Sequence, residues 1–110
     1  MTTQLSVHFD PPGFFLNDPR LVVKVEGQVV HDGSFRRGFT ASAPLASDRT
    51  VIETSLEVGT LRRRRRIEVD LAALRPDGYR ESTEVLYEAR LEYSRFWGNF
   101  KKRVDLRRIR

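Results

Sequence analysis

Polar and apolar residues alternate along much of the chain with a period of two. From Gln4 to Phe9, the residues Leu5, Val7 and Phe9 oppose Gln4, Ser6 and His8, which predicts a strand with one buried face. Leu21 to Val30 is rich in β-branched residues and is interrupted at Gly27, so Gly27-Gln28 reads as a two-residue type II′ hairpin loop. Thr50–Val58 and Leu61–Leu71 flank Gly59-Thr60, a second hairpin signal of the same kind. Further turn signals fall at Pro11-Pro12-Gly13, Asn17-Asp18-Pro19, Asp32-Gly33, Ser47-Asp48 and Gly98-Asn99, and Arg75-Pro76-Asp77-Gly78-Tyr79 fits a turn with proline first and glycine left-handed. Short apolar runs at this spacing predict an all-β sandwich or barrel.

The Gly59-Thr60 loop fixes a register. Val58 then opposes Leu61, Glu57 opposes Arg62, Glu53 opposes Arg66 and Ile52 opposes Ile67. One face of the second strand carries Arg62, Arg64, Arg66, Glu68 and Asp70. The other carries Leu61, Arg63, Arg65, Ile67, Val69 and Leu71, cationic near the loop and apolar beyond it. Arg63 and Arg65 are therefore either a solvated hairpin tip or a binding patch.

Two periodicities compete in the last third. Val85, Tyr87, Ala89, Leu91 and Tyr93 alternate with Leu86, Glu88, Arg90, Glu92 and Ser94, as a strand would. Val85, Ala89, Tyr93, Phe96, Phe100 and Val104 also fall on one helical stripe. A helix places Gly98 in its interior, at a cost of about 1 kcal/mol, and leaves Tyr87 and Leu91 on the wrong side. The strand reading is preferred, with Gly98-Asn99 turning Thr83–Phe96 into Phe100–Leu106. The alternative is an α+β fold with a helix near 81–103.

The expected fold is one domain over 1–110, a two-sheet antiparallel sandwich of seven or eight strands, immunoglobulin-like or transthyretin-like. The expected inward residues are Leu5, Val7, Phe9, Val23, Val25, Ile52, Leu56, Ile67, Val69, Leu71, Tyr87, Leu91 and Tyr93. Trp97 either packs over the edge of this core or stands in solvent as a partner hot spot, and the core reading is preferred. At 110 residues the chain can bury one modest core.

Charge divides the domain in two. Residues 1–60 hold 5 cations and 7 anions, whereas residues 61–110 hold 15 cations and 8 anions. Of the 20 cations, 17 are arginine, a bias that fits a GC-rich bacterial genome. A basic half attracts an acidic protein, a nucleic acid or an anionic lipid without choosing among them. Its richest segment is Tyr93–Lys102, with Trp97, Phe96, Phe100, Arg95, Lys101 and Lys102. Aromatics beside cations suit protein hot spots and, less specifically, the stacking of bases.

Catalytic chemistry has little to work with. Cysteine is absent, which excludes thiol nucleophiles, disulfides and thiolate metal sites. His8 and His31 stand outside any nucleophile motif, and His8 with Asp10 supplies two metal ligands at most. Glu84, Glu88 and Glu92 share a strand face and are read as solvation. Glycine-rich phosphate loops are missing. No apolar run is long enough to span a bilayer as a helix, and the first residues lack a basic and apolar leader, so the cytoplasm is the expected location.

Residues 20–58 carry one resemblance. Val23-Lys24-Val25-Glu26-Gly27-Gln28-Val29-Val30, then Gly38-Phe39, Pro44-Leu45 and Thr50-Val51-Ile52-Glu53, resemble the PEGA-type β-sandwich pattern, in which a strand ending V-x-V-D-G precedes a small-residue stretch and another strand. Glu26 replaces the aspartate, and Ser47-Asp48-Arg49 replaces the usual Gly-x-His. The resemblance implies an accessory binding module, with no catalytic residue to carry over. The sequence as a whole thus predicts a non-enzymatic interaction or assembly module without cofactor or metal. Its partner-facing residues are expected to be Arg63, Arg64, Arg65, Arg95, Trp97, Phe100, Lys101 and Lys102. An acidic protein or larger assembly is the expected partner, with nucleic acid or anionic lipid as the alternative.

Overall fold

Alternating strands bury one face each, and the chain satisfies this with two sheets laid face to face. The computed structural model describes residues 3–75 and 85–109. The first sheet contains β1 (Thr3–Phe9), β4 (Phe39–Leu45), β7 (Val85–Arg90) and β10 (Asp105–Arg108), in the order β10-β7-β1-β4. The second contains β2 (Arg20–Val25), β3 (Gln28–Ser34), β5 (Arg49–Val58) and β6 (Leu61–Asp70), in the order β3-β2-β5-β6. A small ladder joins β8 (Tyr93–Ser94) to β9 (Asn99–Phe100), and a 3₁₀ turn covers Ala72–Leu74. Among the described residues no helix is long and apolar enough to cross a membrane.

The all-β sandwich is the expected one. One ladder departs from antiparallel pairing: β1 lies parallel to β7, with Leu5 opposite Tyr87 and Val7 opposite Ala89. Parallel and antiparallel strands share a side-chain period of two, so alternation alone does not separate them.

The β5–β6 register follows the expected one over its full length, from Val58↔Leu61 to Ile52↔Ile67. The β2–β3 turn lies one residue earlier than expected. Val25 pairs with Gln28, so Glu26-Gly27 is the loop, with φ of 52° and 81°. Positive φ at both central residues is the type I′ geometry, whose twist suits a hairpin.

Between the sheets lie Leu5, Val7, Val23, Val25, Ile52, Ile67, Leu71, Tyr87 and their neighbours, all buried. Every expected inward residue is buried except Tyr93, which is half-buried. The helical alternative for the last third is overturned. Val85, Tyr87 and Ala89 point inward from β7, while Phe96 is 84% exposed and Phe100 only 1%. The proposed stripe therefore does not exist in space.

The expected long hairpin about Gly98-Asn99 is shortened as well. The chain leaves the sheet after Arg90, makes the small β8–β9 ladder around a loop at Arg95–Gly98, and returns at Asp105 opposite Arg90. The turn expected at Pro76-Asp77-Gly78, and Thr83 and Glu84, lie outside the described residues.

Candidate functional site

Strand registers bring four connections to one end of the sandwich. Phe9 pairs with Phe39, His8 with Arg90, Arg20 with both Ser34 and Glu57, and Val58 with Leu61. Segments 10–19, 35–38 and 91–104 and the Gly59-Thr60 tip therefore share that end. They close it with an aromatic cluster centred on Phe35, which is 1% exposed. Ring centroids lie 4.8 Å away for Tyr93, 5.1 Å for Phe15, 5.4 Å for Phe9 and 6.2 Å for Phe100. Edge-on contacts dominate, as the quadrupoles of aromatic rings favour.

The five consecutive arginines divide by parity. Arg62 and Arg66 face outward from β6 and meet Glu57 at 2.7 Å and Glu53 at 3.8 Å, the expected partners. Arg20 joins the same surface between Asp32 at 2.7 Å and Glu57 at 3.4 Å. Two carboxylates hold the Arg20 guanidinium strongly protonated, and its hydrogen bond in turn holds Asp32 below the usual carboxylate range. Arg64 is exposed on this face, opposite Ser55.

Arg65 points the other way, half-buried, and its Nε donates to the Phe100 carbonyl at 2.9 Å. Asn99 Nδ2 donates to the Arg64 carbonyl at 3.2 Å, so both bonds fasten the β8–β9 ladder to β6. Arg65 is thus a clasp between two elements.

Arg95 clasps two loops. Its Nη2 donates to the carbonyls of Pro12 at 2.8 Å and Phe14 at 3.1 Å, and its guanidinium lies 4.2 Å above the Phe15 ring. Cation–π contact and two charge-assisted bonds hold segment 12–15 against segment 93–98. Asp18 secures the same region, accepting from Ser34 Oγ at 2.6 Å and the Arg36 amide at 3.0 Å. Those bonds, led by Ser34, keep the Asp18 carboxyl below its ordinary value.

A depressed native pKa stabilises the fold above the unfolded value of about 3.9, and that stability is lost as pH falls through the native value. The melting temperature of the native chain is therefore expected to fall with acidification below about pH 4 more steeply than that of Asp18→Asn. Thermal melts of both proteins between about pH 6 and pH 3 check this, and parallel curves would refute it.

A groove of about 440 Å³ opens between these segments, lined by Phe14, Phe15, Leu16, Leu56, Val58, Leu61, Tyr93 and Arg63. Around it stand large apolar side chains in solvent: Leu16 is 86% exposed, Phe14 75% and Leu61 66%. Phe96 and the sole tryptophan, Trp97, stand out from the adjoining loop, their rings 4.9 Å apart. Eight large hydrophobic residues are exposed among the described residues, and six of them, including Val58, belong to this end.

The expectation that Trp97 packs over the core is corrected: it is 71% exposed. The four-residue loop Arg95–Gly98 carries it beyond the ladder that would have turned it inward. Phe100 is corrected in the opposite sense, since its ring is inside the aromatic cluster and offers no surface to a partner. Lys101 pairs with Glu92 at 3.4 Å, and Lys102 is exposed beside it.

Phe14, Leu16, Leu61 and Phe96 were not among the expected partner-facing residues. The signal for three of them is an apolar residue inside or beside a turn: Phe14-Phe15-Leu16 sits between two proline turns, and Leu61 adjoins Gly59-Thr60.

His8 is held between Thr40 Oγ1 and Asp10 Oδ1, each at 2.6 Å, and Asp10 also meets Arg90 at 3.1 Å. Among the described residues no three histidine, aspartate or glutamate side chains come together as metal ligands would. Comparison with protein families, with curated proteins and with solved structures finds no match to the chain.

Proposed function

We propose that the protein is a non-enzymatic docking module that uses its basic, aromatic end to hold a negatively charged partner surface. The observation that carries this reading is the gathering of six exposed large apolar residues at one end, around a groove, by segments far apart in sequence. Soluble domains expose few contiguous apolar patches, and those they do expose mark interaction sites. Tryptophan and arginine, both present here, are the residues most enriched where binding energy concentrates. Arg65 and Arg95 hold the loops in place, and Arg63 borders the groove.

Leu61→Asp tests this reading, because Leu61 is exposed and its replacement leaves the core intact. The variant is expected to melt within a few degrees of the native chain, as surface substitutions do. It is also expected to lose whatever the immobilised native chain retains from extracts of its host. Equal capture by both chains would refute the reading.

A further inference from the structure

We infer that the surface this end docks onto is an anionic lipid bilayer, an inference that rests on the docking reading above. Phe14, Leu16, Phe96 and Trp97 are each more than 70% exposed and stand on two separate loops. A folded protein partner would need a matched pocket for each of them. A bilayer interface is fluid and takes apolar side chains in any lateral arrangement. Tryptophan in particular favours the headgroup level, where its ring is apolar and its N–H stays hydrated.

The same end of the sandwich carries the charge a lipid surface would recognise. Arg36 and Arg37 follow Phe35, Arg63 follows the β5–β6 tip, and Lys102 and Arg103 follow Phe100. Arg36 has the Asp18 carboxylate beside it, but Arg37, Arg63, Lys102 and Arg103 form no ion pair among the described residues, whereas Arg20, Arg62 and Arg66 on the sheet face do. Arg20, Arg62 and Arg66 are thus neutralised on the sheet face, whereas Arg37, Arg63, Lys102 and Arg103 leave unpaired positive charge at the apolar end. Stable peripheral attachment takes two signals together, apolar insertion and a polybasic contact with acidic headgroups, and this end supplies both.

Other occupants fit less well. A second copy docked end to end would set these cations against their own kind. A nucleic acid would gain stacking from Phe96 and Trp97, but nothing from Leu16, Val58 and Leu61.

The experiment mixes the native chain with phosphatidylcholine vesicles, with and without phosphatidylserine as a minor component. Sedimentation and the emission of the sole tryptophan are the readouts. Affinity for the anionic vesicles is expected to exceed that for the neutral ones by at least about tenfold, and to fall with salt. Trp97 emission is expected to shift to the blue on binding. The double variant Leu16→Asp, Leu61→Asp is expected to keep its fold by circular dichroism and to lose about tenfold or more in affinity.

Absence of binding to the anionic vesicles would overturn the inference, and so would binding unaffected by the double variant. If vesicles fail but a nuclease-resistant host protein is captured and lost on Leu61→Asp, the lipid assignment falls and the docking reading stands. Capture abolished by nuclease would likewise overturn the lipid assignment, in favour of nucleic acid. Failure of vesicles and of all capture would remove both.

Discussion

Phe35→Ala is expected to cost about 3–5 kcal/mol, a large share of the ~5–15 kcal/mol by which a domain of this size is usually stable. Phe35 is almost wholly buried and touches Phe9, Phe15, Tyr93 and Phe100 at once. Its removal leaves a cavity that four rings border, and rings fixed by their own strands and clasps cannot collapse into it fully. Phe96→Ala removes the same atoms from an 84% exposed position and is expected to change stability by no more than about 0.5 kcal/mol. Urea denaturation of the two variants side by side measures the difference. Similar midpoints would show that the aromatic cluster does not close the core as described.

Gly38→Ala is expected to destabilise by about 2–4 kcal/mol, a large effect for the addition of one methyl group. Gly38 has φ of +65°, and a Cβ there would lie 2.3 Å from the Phe9 carbonyl oxygen and 2.9 Å from the Pro11 nitrogen. Both obstacles are backbone, so no side chain can swing aside. Gly27→Ala provides the control, since Gly27 also has positive φ but meets nothing within 4 Å. That variant is expected to lose only the conformational share, about 1–2 kcal/mol. Equal losses in the two variants would place the cost of Gly38→Ala in the dihedral and not in the close approach of segment 9–11.

How far the sequence foretells this molecule depends on whether a residue sits in a regular ladder. The β5–β6 register was legible because a two-residue loop leaves no freedom in pairing, so Glu57 had to meet Arg62 and Glu53 had to meet Arg66. The inward faces of β1, β2 and β7 were legible for the same reason: alternation is a local property. The neighbour of a strand is not local, and β1 beside β7 joins segments some eighty residues apart.

Residues at the loop end lie where the period of two lapses. Trp97, Phe100 and Phe35 have similar chemistry, yet one is exposed and two are buried, because the Arg95–Gly98 loop and the turn after Ser34 decide which way each points. The candidate site is built from four such irregular segments. Its pieces are visible in the sequence, as Phe14-Phe15-Leu16 and Phe96-Trp97, but their meeting is a product of the ladders between them.

The parallel β1–β7 ladder has a consequence for the order of events during translation. Strands β2, β3, β5 and β6 all lie between Arg20 and Asp70, so one sheet can form before the last third of the chain has been made. β1 is made earlier still, but one of its two neighbours begins only at Val85. At about 5–20 residues per second, the twenty residues from Asp70 to Arg90 take about 1–4 s to emerge. Throughout that interval Leu21, Val23, Ile52 and Ile67 have at most the β1–β4 pair for cover, while the strand bearing Tyr87 is still absent. The nascent domain therefore passes through a stage with an open apolar face, and that stage, more than the finished fold, is where its exposed surface is prone to aggregation.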